Sequence, residues 1–178
     1  MSNHQSYLQK PLGTSIHITA LDGIIHVNSI FTLAVFIGLS WNPNDPSNTL
    51  ITDPSCTSFN TSIAENIVAF HVYSFSSFLF SSLVALGLKQ AFRISAHHDS
   101  HWAFIHTSGL RVGMLVSAIG SVSGCAFLML ALINVAQIKL GSLSCGSSHT
   151  YAAVVPLVIL VPSALLIYIG FVLYAFTR

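Results

Sequence analysis

The chain has 178 residues, of which 53% are hydrophobic and 6% charged, and its formal net charge is +1. A soluble domain carries about 25% charged residues, so this composition, with a mean hydropathy of +0.74, excludes a water-soluble globular domain of any size. The near-zero net charge gives no support to a nucleic-acid partner.

Four apolar runs organise the sequence, roughly Ile24 to Trp41, Ile63 to Leu88, Val112 to Ile138 and Ala152 to Phe176. Crossing a ~30 Å hydrocarbon layer takes about 20 mostly apolar residues in a helix. The fold expected is an all-α membrane protein, a four-transmembrane-helix bundle with both termini cytosolic. Residues 1–18 read as a polar cytosolic tail, and residues 19–178 as one transmembrane domain with spans near 24–41, 63–88, 112–138 and 152–176.

The first run follows a tail with one Lys and no Arg, ends on Trp41 and has no small-residue cleavage site. It therefore reads as a retained span rather than a cleaved signal sequence, and the missing Arg argues against an organelle transit peptide. That places the chain on the secretory route, ending at the plasma membrane or an endomembrane. Asp22 and His26 stand one helical turn apart at the start of this span, with Asn28 nearby, and Thr19 to Asp22 has capping-box spacing. The reading is an N-terminal cap whose carboxylate favours the helix dipole and holds the imidazole; the alternative is a proton-handling site.

Between the first two spans lie Cys56 and the sequon Asn60-Thr61-Ser62. The sequon is about three residues from the second span, close enough to the bilayer to be expected unmodified. On a wheel of 100° per residue, Ser74, Ser77, Ser81 and Ala85 form a small-residue stripe on the second span. Val72, Phe75, Leu79, Leu83 and Leu86 fall on the opposite side, which suits lipid. His71 lies on the small face and is expected to hydrogen-bond across the bundle.

The next loop holds His97, His98, His101 and His106 with Asp99. His97 and His101 would share a helix face, but the loop has no Cys and no second ligand cluster, and Trp102 and Phe104 suit a headgroup interface. The expectation is no metal and no cofactor. The third span carries Gly113, Ser117, Gly120, Gly124 and Ala131 on one stripe, with Gly120 and Gly124 in G-x-x-x-G spacing, which lets another helix backbone approach closely. The second and third spans are expected to pack through their stripes, with Ala118 well around the helix from the two glycines; the stripe's other use would be dimerisation. Asn134, Gln137 and Lys139 need only reach the interface. Pro156 and Pro162 remove backbone donors from the fourth span.

Orientation comes from the basic residues. With a cytosolic N-terminus, Lys10, Lys89, Arg93, Arg111 and Arg178 face the cytosol and Lys139 alone faces away, a strong positive-inside asymmetry. Cys56 and Cys145 then share an oxidising compartment, while Cys125 is inside the third span, so a Cys56 to Cys145 disulfide is the expected pairing. Chain entropy sets its upper bound at roughly 4 to 5 kcal/mol, less for a chain already threaded through a membrane.

No span carries charge near its centre, which argues against a voltage sensor or a proton-driven transporter. No nucleophile elbow, phosphate-binding glycine loop or H-E-x-x-H motif is present. The segment Thr14-Ser15-Ile16-His17-Ile18-Thr19-Ala20-Leu21-Asp22-Gly23, then Val27-Asn28-Ser29-Ile30-Phe31-Thr32, Leu143-Ser144-Cys145-Gly146 and Tyr174-Ala175-Phe176-Thr177, resembles the plant proteins labelled maternal effect embryo arrest. The resemblance implies a plant source and a small four-span membrane protein without an assigned activity. The Casparian-strand family is similar in layout, but its Arg in span one and Asp in span three are absent here.

The function expected is a non-enzymatic accessory or scaffolding subunit that packs in the bilayer against a larger membrane protein or as a homo-oligomer. A small channel or transporter is the alternative, and a membrane enzyme using the histidine loop the third. Mass spectrometry without reduction should recover a peptide joining Cys56 to Cys145, with Cys125 alkylated only after unfolding. Two free loop thiols in protein prepared without reductant would eliminate the bridge.

Overall fold

Hydrocarbon offers no partner to a backbone N–H or C=O, so a single apolar run can cross it only as a helix, which satisfies these groups internally. The computed structural model describes residues 12–40, 61–95, 103–140 and 148–177. These form four helices: α1 (Leu12–Ser40), α2 (Thr61–Ser95), α3 (Ala103–Leu140) and α4 (Ser148–Thr177), with no strand among the described residues. Each contains a stretch long and apolar enough to span a membrane: Ile18–Ser40, Ser62–Ala91, Arg111–Leu140 and Ser148–Phe171.

The helices outrun the hydrocarbon. At 1.5 Å per residue, the 38 residues of α3 extend about 57 Å. α1 begins at Leu12, inside the segment read as a polar tail, so Thr19 and Asp22 sit about two to three turns within a helix. A capping box needs orphan N–H groups of a first turn; at this depth they are already bonded, which corrects the cap expected there.

Neighbouring helices run antiparallel. Lys89 of α2 pairs with Asp22 at one end of α1, and His71 of α2 lies against Gly38 at the other. α2 meets α3 in the same sense, with Leu88 over Gly113 and Phe78 over Gly124. The most intimate contact is between α2 and α3, followed by α1 on α2, with α4 resting on α3.

Where those backbones come close, the residues are small. A Cβ placed on Gly124 would lie 2.7 Å from the Phe78 ring, and one on Gly120 would lie 3.1 Å from Cβ of Ser81 and 3.4 Å from the Ser77 carbonyl oxygen. Phe78 thus lies over α3 because position 124 has no side chain. It stacks on Phe31 of α1, with centroids 5.4 Å apart, and forms the buried centre with Val35 and Leu128. In lipid this centre gains little from the hydrophobic effect, since the tails are as apolar as the side chains, and its stability is van der Waals contact.

Two wheel-based expectations fail. Phe75, placed toward lipid, is partly buried and packs on the Val35–Phe78–Leu128 centre, and Ala118, placed off the contact stripe, is only 6% exposed. α2 and α3 each meet more than one neighbour, so one contact face per helix is too few.

α4 is the outlier. Of its most apolar window 6% is buried, against 39% for α3, and Thr150 and Val154 are its two buried residues among those described. Helix continues through Pro156 and Pro162, although neither can donate to the preceding turn.

Replacing Gly124 with Leu should destabilise the bundle in detergent by about 1 to 3 kcal/mol, the range for overpacking, because the Phe78 ring has nowhere to go. Leu at Gly109, where an added Cβ meets nothing within 4 Å, is the matched control and should be nearly silent. Equal thermal midpoints for the two variants would refute close approach at Gly124.

Candidate functional site

A side-chain amide has no solvation in hydrocarbon, so an Asn inside a span must find its partners on neighbouring helices. Asn28 of α1 is fully buried. Its Nδ2 donates to Ser81 Oγ of α2 at 2.9 Å, and its Oδ1 accepts from Ser121 Oγ of α3 at 2.7 Å. One amide therefore ties three helices together.

The network extends along the α2–α3 seam. Ser81 Oγ donates to the Ser117 carbonyl at 2.6 Å, and Ser117 Oγ donates back to the Ser81 carbonyl at 2.9 Å. A hydroxyl has one proton, and with that of Ser81 committed to Ser117, its lone pair is left for the Asn28 amide hydrogen. The amide can then face only one way, with its oxygen toward Ser121. Further along the seam, Ser74 Oγ donates to the Gly124 carbonyl at 2.8 Å.

Asn28, Ser81 and Ser121 each lie ten residues from one end of their spans, counted from Ile18, Ala91 and Arg111. That puts the cluster about 15 Å inside the limits of the apolar spans. Ser74, Ser81 and Ser117 are buried, as is Ala85. Gly113, Gly120 and Gly124 lie against α2. Ser77 stands at the edge of the seam, its backbone against Gly120 and its hydroxyl donating to its own helix at Tyr73.

His71 occupies a second notch. It is buried, and its Nδ1 lies 2.7 Å from the Ile67 carbonyl. A carbonyl only accepts, so the ring proton is on Nδ1, and Nε2 points at α1, where a Cβ on Gly38 would lie 2.2 Å away. The cross-bundle hydrogen bond expected of His71 is replaced by a bond within its own helix and a steric fit against Gly38.

Asp22 and His26 are not brought together. The Asp22 carboxylate accepts from Lys89 of α2 while His26 is exposed. An ion pair across two helices displaces the carboxylate–imidazole contact, because the lysine's flexible stem lets its full charge reach the carboxylate. With Asp22 half-exposed, such a pair is worth about 0 to 1 kcal/mol.

His97, His98 and His101, the disulfide candidates Cys56 and Cys145, and Asn60 lie outside the described residues. Among the described residues no three His, Cys, Asp or Glu side chains gather as a metal site, and Cys125 is a free thiol. No protein-family model, curated protein or solved structure matches the chain.

Substituting Gly38 with Ala should expel the imidazole from its notch and lower the thermal midpoint in detergent, at about 1 to 3 kcal/mol. Adding His71→Ala to that variant should recover part of the loss, because the smaller side chain makes room for the new Cβ. Additive losses in the double variant would mean that the two positions do not touch.

Proposed function

We propose that the chain is a non-enzymatic integral membrane accessory or scaffolding subunit that packs laterally against a larger membrane protein or against copies of itself. The observation that carries this reading is the contrast between α4 and the other helices. α1, α2 and α3 are knotted by buried hydrogen bonds, whereas α4 touches the bundle along one side and leaves Leu160, Leu166, Ile167 and Phe171 exposed. A helix held by one neighbour has most of its circumference free for a second.

The buried polar groups favour scaffolding over transport. A solute path needs polar groups that face a cavity, and here the amide of Asn28 is spent on Ser81 and Ser121. Placement of both termini in the cytosol is part of the proposal, supported by the positions of Lys89, Arg93 and Arg111 toward the end of the bundle where α1 begins, with Lys139 toward the other. So are kinship with the plant maternal effect embryo arrest proteins and residence at the plasma membrane or an endomembrane, both resting on the sequence.

Purification in mild detergent should bring a stoichiometric membrane partner or a defined homo-oligomer. A lone monomer that conducts ions or a solute when reconstituted in liposomes would overturn the reading in favour of a channel. Tags at Ser2 and after Arg178 should resist protease added outside sealed cells, and digestion of either would reverse the orientation.

A further inference from the structure

Between α2 and α3, on the face turned away from the Asn28 network, runs an open groove of about 400 Å³ lined in part by Ser76, Ser77, Phe80, Ile119, Gly120 and Ser123. Its volume falls in the range of small-molecule sites. The serines make it look polar in sequence, but each hydroxyl is committed to its own helix: Ser76 to Val72, Ser77 to Tyr73 and Ser123 to Gly120. What the groove presents is therefore methylene, ring and glycine surface.

The two ends differ. One turn beyond Ser77 and Ser123, Tyr73 and Phe127 bridge the helices with centroids 5.4 Å apart, and Phe70 stacks on Phe127 behind them. That end is closed. In the other direction the lining ends at Phe80 and Val116, with no aromatic pair across the two helices there among the described residues.

We infer that the groove is a binding site for one hydrocarbon chain of a bilayer lipid, which lies along Phe80 and Ile119 and ends against Tyr73 and Phe127. The groove lies in spans Ser62–Ala91 and Arg111–Leu140, at the depth of the lipid tails, and its spent hydroxyls offer nothing to a polar ligand. The closed end separates a chain from a helix. A helix about 10 Å across laid along the seam would have to pass Tyr73, which is 56% exposed, whereas a chain simply stops there. The site is distinct from the α4 surface of the proposed subunit contact and stands without it.

The test uses the full-length protein in vesicles of phosphatidylcholine containing phosphatidylcholine spin-labelled near the end of one acyl chain, read by electron spin resonance. Any spanning bundle restricts a shell of boundary lipid, so the expected result is a motionally restricted component larger, by about one chain per protein, than that of variants whose groove is filled. Ser76→Phe and Ser123→Leu, which fill the groove from its rim, should each remove that excess, whereas Leu86→Phe on the opposite side of α2 should leave it unchanged. Helical circular dichroism and thermal midpoint verify that each variant is folded, and two groove variants guard against loss of one. The site is refuted if the restricted component is the same in all four proteins. It is equally refuted if filling the groove converts a dimer to monomers, which would make a second copy the occupant.

Discussion

Everything in the arrangement of α1, α2 and α3 depends on the burial of one amide. Asn28 is a poor guest in hydrocarbon, and both of its amide's hydrogen bonds leave α1. Its donor and acceptor find Ser81 on α2 and Ser121 on α3, and to do so the three helices must stand at one register. A slip by one residue would turn the amide about 100° and leave it without partners. Each such bond in a membrane protein is worth only about 0.6 kcal/mol on average. The larger effect is on the alternatives, since a register that parts the amide from Ser81 and Ser121 forfeits both bonds at once.

Close packing then completes what the amide registers. Lipid tails compete with side chains for apolar contact, so helices associate only where they fit each other better than they fit lipid. The fit is by notch and projection: Phe78 over Gly124, Leu88 over Gly113, His71 over Gly38. Absence of a Cβ at these glycines brings the helices near enough for Ser81 and Ser117 to exchange hydrogen bonds across the seam. Polar register and steric fit are thus one device. α4 has no such notch among its described contacts with the bundle, and meets α3 through buried Thr150 and Val154 and the buried hydroxyl of Tyr168.

The four helices were legible because hydropathy over some twenty residues is a strong signal with no competing explanation. The small stripes were legible for the same reason, as periodicity within one helix. Partners across helices were not. Asp22 finds Lys89 at a separation of 67 residues, and nothing in the local sequence distinguishes that cation from the imidazole of His26. Ser81 and Ser117 stood out only as small residues, and their hydroxyls proved to matter as much as their size. Phe75 and Ala118 were misplaced because a wheel divides a helix into a contact face and a lipid face, whereas α2 and α3 each meet two neighbours. Gly38 had no stripe to announce it, and its role follows only from the position of His71.

The most direct measurement of this account is a double-mutant cycle between Asn28 and Ser121, read as unfolding free energy in detergent or bicelles. Asn28→Ala, Ser121→Ala and the double variant remove one bond from its two sides. A favourable coupling between about 0.6 and 1.7 kcal/mol is expected, the span from average to strongest for hydrogen bonds between membrane helices. Strictly additive losses would contradict it, since the amide would then not be the link that sets the register of the three helices.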